Sequence, residues 1–188
     1  MGRPSAARER ILETAAQLFY EHGFRAVGVD RIIAESGVAK ATLYAHFPSK
    51  DDLVLSYVQR ADVRWTAHLR RAAEAAGPDP RAQMIGAFDA LREIAEAATF
   101  RGCAFINTAS EAIPGTPVHE ATVRHKQAVR AWLRELAAAA GAADPDLLAL
   151  QLTLLIDGGL AAGAVEPSPE VGLAAQQAAR VVIAASCG

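Results

Sequence analysis

Between Lys40 and Lys50 the chain gathers two ammonium groups, the hydroxyl of Thr42, the phenol of Tyr44 and the imidazole of His46, with Ala41 and Ala45 among them. These types suit a nucleic-acid duplex. A lysine can bond guanine O6 and N7, a threonine can use hydroxyl and methyl, and an alanine can touch a thymine methyl in the major groove. Phenol, imidazole and a second lysine can bond phosphate oxygens, which fixes register without reading sequence. Lys40, Ala41 and Thr42 are therefore candidate base readers, and Tyr44, His46 and Lys50 candidate phosphate contacts. Each has a plainer alternative: Lys40 as a solvated charge, Tyr44 as half-buried packing, His46 as an exposed helix end. Arg3 lies in an N-terminal arm that can reach an adjacent groove.

Such chemistry needs a short helix held rigidly by others. Ile11, Leu12, Ala15, Leu18 and Phe19 recur at helical spacing, which predicts a helix near 6–22. Gly23 is placed to end it, with Phe24 packing back. Val29, Ile32 and Ile33 predict a short helix ending at Ser36-Gly37, and the next piece runs from Lys40 to Phe47 and stops at Pro48. Asp30 and Ser49 are candidate N-caps. The tight turn Ser36-Gly37-Val38 joins the two short helices, with Gly37 free to take positive φ and Val38 plugging the space between them. Ile32, Ile33, Leu43 and Phe47 would pack with Leu18 and Phe19, leaving Lys40, Ala41, Thr42, Tyr44, Ala45 and His46 outside. That is the layout of a helix-turn-helix whose second helix fits the major groove.

A long pattern follows from Lys50 through Leu53, Val54, Tyr57, Val58, Ala61, Trp65 and Leu69 to Gly77-Pro78. Short gaps at Gly77–Pro80, Phe100–Gly102, Pro114–Pro117, Gly141–Pro145 and Glu166–Pro169 divide the remainder into about five further helices. No strand-like alternation, internal repeat or low-complexity linker stands out. The expected fold is all-α with about nine helices: an N-terminal three-helix head over 1–50 and a helical body over 51–188. Charge follows the same division. Residues 1–50 hold seven Lys/Arg against five Asp/Glu, net +2, while the rest of the chain carries twelve against sixteen, within an overall charge of −2. A basic head on an acidic body suits a small DNA-binding domain joined to a regulatory one.

The stretch Arg10–Leu53 resembles the TetR family of repressors. The matching residues are Ile11-Leu12, Ala15, Leu18-Phe19, Gly23-Phe24, Ile32, Gly37-Val38, Thr42-Leu43-Tyr44, His46-Phe47 and Ser49-Lys50. The resemblance implies an all-helical homodimer that binds double-stranded DNA, with an effector pocket in the body and a dimer interface built by the last two long helices. Those helices are expected near 144–163 and 169–186. Leu152, Leu155, Gly159 and Gly163 of the first and Ala178 and Val182 of the second are the interface candidates. Two-fold symmetry then implies a near-palindromic operator. Pockets are mostly apolar with a few polar groups, and the candidates to supply one for an effector are Trp65, His68, Phe88, Phe105, Asn107, Thr108, Glu111 and Trp132. The segment Arg101–Glu111 also resembles one found in many of these regulators, and is expected to start a helix lining that pocket. Gly28 and Ala39 depart from the pattern, standing where the family often has Ser or Thr before each short helix.

Other functions are bounded more weakly. Cys103 and Cys187 make neither a disulfide framework nor a zinc spacing, and no partner beyond Arg101 is evident for Cys103. His68, His119 and His125 show no tight ligand spacing, so no metal or other cofactor is expected. No apolar run reaches the roughly 18 residues of a membrane span, so no membrane partner is expected and a cytoplasmic protein is the default. The leading reading is a dimeric repressor released from its operator by a small molecule. A DNA-binding regulator without a ligand, or gated by a protein partner, is the alternative. A helical enzyme is the remote one, since the chain has no P-loop, Gly-x-Ser-x-Gly, His-Glu-x-x-His or dinucleotide fingerprint.

Overall fold

The computed structural model describes residues 5–95 and 99–188, and Arg3 lies outside them. Ten helices are present among the described residues: α1 (Ala6–His22), α2 (Val29–Ser36), α3 (Lys40–His46), α4 (Lys50–Ala75), α5 (Pro80–Gly86), α6 (Asp89–Ala95), α7 (Ala104–Glu111), α8 (Pro117–Ala139), α9 (Pro145–Val165) and α10 (Pro169–Ser186). The all-α class expected from the sequence holds. There is one helix more than about nine because the piece after Pro80 is interrupted at Ala87-Phe88.

Side-chain chemistry sets most of the boundaries. α5, α9 and α10 each begin with a capping residue followed by proline: Asp79 accepts from the amides of Arg81 and Ala82, Asp144 from Leu147, and Ser168 from Glu170. Proline at the first position gives up an amide that has no intrahelical partner there. Ser49 caps α4, its hydroxyl oxygen accepting from the Asp52 amide while its O–H donates to the Asp52 carboxylate. Asp30, the other candidate cap, stands inside the first turn of α2; the cap position is Gly28, with no side-chain bond. Ala39 caps α3 equally bare. Its exposed, extended backbone (φ −69°, ψ 147°) would accept serine unchanged. Ala39→Ser should therefore stabilise the protein by about 1 kcal/mol, read as a raised urea midpoint at constant m-value.

The chain divides into two compact units, one of residues up to Asp62 with Ala104–Val123, the other of Val63–Cys103 with Arg124–Gly188. The division falls inside α4. In the first unit Ile11, Leu12, Ala15, Leu18 and Phe19 of α1 meet a core that also holds Val27, Ile32, Val38, Leu43, Phe47, Leu53, Val54, Tyr57 and Val58, all buried. Phe19 and Tyr57 pack edge to face, centroids 5.8 Å apart. Arg60 clamps α4 to α1, its guanidinium reaching Glu9 at 2.5 Å and pairing also with Glu13.

In the second unit α9 and α10 form a helical hairpin, with the Ala143 amide donating to the Ser186 carbonyl across its open end at 2.9 Å. Leu148, Leu152, Ile156 and Leu160 of α9 and Ala175, Ala179 and Ile183 of α10 are buried in this unit. The opposite side of α9 stays apolar yet exposed. By length and mean hydropathy (1.7) α9 qualifies as a membrane span, contrary to the expectation that no stretch would, although Gln151 and Asp157 interrupt it and 39% of its most apolar window is buried. In the fold it is half of a packed hairpin.

Candidate nucleic-acid interface

The turn between α2 and α3 depends on Gly37, which takes the left-handed conformation (φ 66°, ψ 25°) and donates its amide to the Ile33 carbonyl. That conformation is costly for residues with a Cβ. Val38, buried, then fills the angle between the helices. α3 is held from one side only: Leu43 (0% exposed) and Phe47 (2%), four residues apart, face the core. The opposite face carries Lys40, Ala41, Tyr44 and Ala45, all exposed, with Thr42 half-buried at its edge.

The candidate DNA contacts thus fall into two groups. Lys40, Ala41, Thr42 and Tyr44 lie together on or beside the open face of α3. Lys40 is paired with Asp30 at 3.7 Å, both side chains largely exposed. Exposed pairs of this kind are worth about 0–1 kcal/mol, so the ammonium can be given up to another acceptor at little cost. Tyr44 is 41% exposed, its ring not enclosed by the head. His46 is occupied instead. Its Nε2 and the Ser5 hydroxyl are 3.0 Å apart, a hydrogen bond whose proton either side can supply. Ser5 is also the N-cap of α1, accepting from the Arg8 amide, and the Arg8 guanidinium lies over the Phe47 ring at 4.9 Å. His46 therefore ties the end of α3 to the start of α1. Lys50 is half-buried in the first turn of α4, beside Asp51 and Asp52. These carboxylates favour the helix N-terminus but oppose a phosphate there, so any phosphate contact at this point depends on the lysine.

The eight pocket candidates divide between the two units. Trp65, His68, Phe88 and Trp132 belong to the second. The Trp65 and His68 rings lie 5.9 Å apart, and His68 Nε2 is 3.3 Å from the Ala90 carbonyl and 3.4 Å from Glu93. Phe88 is fully buried, and Trp132 carries the Arg70 guanidinium over its face at 5.4 Å. Phe105, Asn107, Thr108 and Glu111 belong to the first unit, on α7; Phe105 and Thr108 are buried and Asn107 is exposed. Glu111 accepts the Arg25 amide of the α1–α2 loop at 2.7 Å.

Two of the interface candidates face inward. Leu152 is fully buried in its own chain, and Gly163 is buried where an added Cβ would meet Phe100. Gly159 likewise meets Leu91 and Ala175 of its own chain. Leu155, Ala178 and Val182 are half-buried. The exposed apolar stripe consists instead of Leu147, Leu150, Leu154 and Val165 on α9 and Leu173 and Val181 on α10.

Sequence reasoning also missed the ion pair of Lys126 and Asp157, and the 3.7 Å approach of the Lys126 ammonium to Cys103 Sγ. These residues are far apart in the chain, and no local spacing announces them. Among the described residues no three His, Cys, Asp or Glu side chains converge as a metal site.

A three-helix head whose turn-linked second helix is packed on one side and open on the other defines a helix-turn-helix DNA-binding protein. The family model for bacterial regulatory proteins of the tetR family matches residues 11–57. The structure is similar over 97% of the chain to that of SCO4454, a TetR-family transcriptional regulator of Streptomyces coelicolor, with 36% identity, a TM-score of 0.90 and 96% of that chain covered. A TetR regulator of Chloroflexus aurantiacus shows the same fold at 24% identity, with a TM-score of 0.84 and coverage of 96% and 95%. In sequence the chain is 33% identical over 89 residues to the transcriptional activator FasR of Mycolicibacterium smegmatis, a match taking in 47% of this chain and 40% of that protein. The chain thus spans less than half the length of the curated relatives it matches. It belongs to the TetR family and is a transcriptional regulator with a helix-turn-helix DNA-binding domain. Family and fold are those of a regulator and not of an enzyme.

Proposed function

We propose that the chain is a homodimeric repressor, working in the cytoplasm, that binds a near-palindromic operator through α3 of each copy and is released by a small-molecule effector held in the body. The observation that carries this reading is the open face of α3. Lys40, Ala41 and Tyr44 stand outward with Thr42 half-buried beside them, while Leu43 and Phe47 fix the helix behind them. Dimerisation is supported by the exposed leucines and valines of α9 and α10, since a folded monomer has no reason to align them on one hairpin. The effector reading draws on the aromatic side chains of Trp65, Phe88 and Trp132 with His68, together with the Lys126–Asp157 pair, all within the second unit. Effector and DNA would weaken each other's binding reciprocally by favouring different poses of the heads. Repression follows where the bound dimer overlaps a promoter.

Selection from a randomised duplex pool, followed by affinity at two salt concentrations, tests the reading. A near-palindrome bound with steep salt dependence is the expected result, because several phosphates release counterions on binding. On that site Lys40→Ala should relax the preference at one position per half-site. Lys50→Ala should weaken all sequences about equally and lower the salt slope by about one. A winner without two-fold symmetry would overturn the dimeric reading, and no enrichment at all would overturn the operator.

A further inference from the structure

Glu111 lies outside the helix-turn-helix in sequence yet bonds directly to it. From the last turn of α7 its Oε2 accepts the Arg25 amide at 2.7 Å. Its carboxylate also fills the space that Gly23 leaves open: a methyl group at Gly23 would overlap Oε1 and stand 3.0 Å from Cδ. Gly23 has φ 81°, so the loop has been given a backbone that few other residues tolerate at the point where the carboxylate enters. Three residues after Arg25 the loop becomes the cap of α2, whose partner across the Gly37 turn is α3. Residues 104–123 accordingly cluster with the head and not with the rest of the body.

We propose that Glu111 is a positioning residue for DNA binding: a carboxylate latch that fixes the α1–α2 loop to α7 and so sets the pose of α2 and α3. An amide held by an ionised acceptor makes a bond roughly twice as strong as a neutral one. With the latch closed, α7 and the head move as one piece and the recognition helix is presented already oriented. With it open, the loop samples more conformations, and each head must be ordered as it binds, which subtracts from affinity. The inference rests on the DNA-binding reading. It adds that a residue touching no nucleotide governs how well the operator is held.

Glu111→Ala, Glu111→Gln and Glu111→Asp test this on the full chain, with the operator won from the random pool. Glu111→Ala should weaken operator binding by about tenfold, a size typical of contacts that tune coupling from outside both sites. Its melting temperature and its weak binding to random duplex should stay near wild type, and exchange of the Arg25 amide should quicken. Glu111→Gln keeps an oxygen acceptor at the same reach and should recover much of the affinity. Glu111→Asp is a methylene short and should behave like the alanine variant. Gly23→Ala attacks the latch from the other side, so adding Glu111→Ala to it should cost less than Glu111→Ala costs alone. Wild-type affinity in Glu111→Ala would overturn the latch. A loss that tracks the melting temperature without rescue by glutamine would reduce it to an ordinary structural contact, which also overturns the proposal. A wild-type protein that selects no sequence overturns the DNA-binding reading itself, and the positioning role with it; only that outcome shows before any variant is made.

Discussion

Leu154→Arg should leave each subunit folded and take the dimer apart. Leu154 is 61% exposed in the single chain, so the subunit's own core does not depend on it. In the proposed dimer it is covered. Covering the exposed part of this leucine contributes about 1–2 kcal/mol. A two-fold interface uses each position twice, so the loss reaches about 2–4 kcal/mol, or about one and a half to three decades in the dimer dissociation constant. The arginine adds the cost of placing a charge in that apolar interface. Light scattering at micromolar concentration should report a monomer with its helical circular dichroism intact, and affinity for a full palindrome should fall toward that for a half-site. Leu152→Ala is the internal control. Two residues away on the same helix, Leu152 is fully buried in its own subunit. Its truncation should lower folding stability by about 2–5 kcal/mol through the cavity it leaves, with dimerisation affected only through that. If Leu154→Arg remains a dimer, the α9–α10 stripe is not the interface.

Ala41→Glu should separate stability from DNA binding in the opposite direction. Ala41 is exposed in the first turn of α3, a helix that has no side-chain cap and no acidic residue in that turn. A carboxylate there interacts favourably with the free amides of the helix start, worth about 0.3–1 kcal/mol. The head should be as stable as wild type or slightly more so. On DNA the same carboxylate would be driven into a groove walled by phosphates, and would displace an apolar contact with it. Operator affinity should drop by at least about a hundredfold, since a like charge placed in an interface costs several kcal/mol. The measurement is a pair: urea midpoint and operator affinity on one preparation. If affinity survives, α3 does not enter the groove by this face, and the assignments of Lys40 and Thr42 fall with it.

The head was legible in the sequence because its punctuation is local. Gly23, Gly37 and Pro48 mark ends that chain geometry enforces, and the apolar spacing in α1 has a single phase, so helix limits and core residues both follow. The cap of α2 was misread at Asp30 because aspartate is the better capping side chain; backbone geometry put Gly28 there instead. The inward direction of Leu152 on α9 was hidden for a different reason. α9 is apolar on nearly every side between Leu147 and Leu160, so hydrophobic periodicity carries no phase and cannot say that Leu152 points inward while Leu154 points out. Gly159 and Gly163 looked like sites of close approach between chains and are sites of close approach within one. The Glu111–Arg25 bond joins residues 86 apart, and Lys126 meets Asp157 across 31. No local pattern encodes such pairs, which exist only once the helices are packed.

The membership of Ala104–Val123 in the same compact unit as the first 62 residues has a consequence for inheritance. A DNA-reading head made of one contiguous segment could be exchanged between regulators by a single crossover, carrying its operator preference along. Here a cut anywhere in α4 would transfer the recognition helix but leave α7 behind, and with it the carboxylate that the transplanted Gly23–Arg25 loop is shaped to receive. A working chimera would have to bring both pieces from the same parent, or have the junction rebuilt at residue 111. Operator preference in such a chain can drift readily through point changes on the open face of α3, whereas wholesale acquisition of a foreign head is obstructed by the way the chain returns to it.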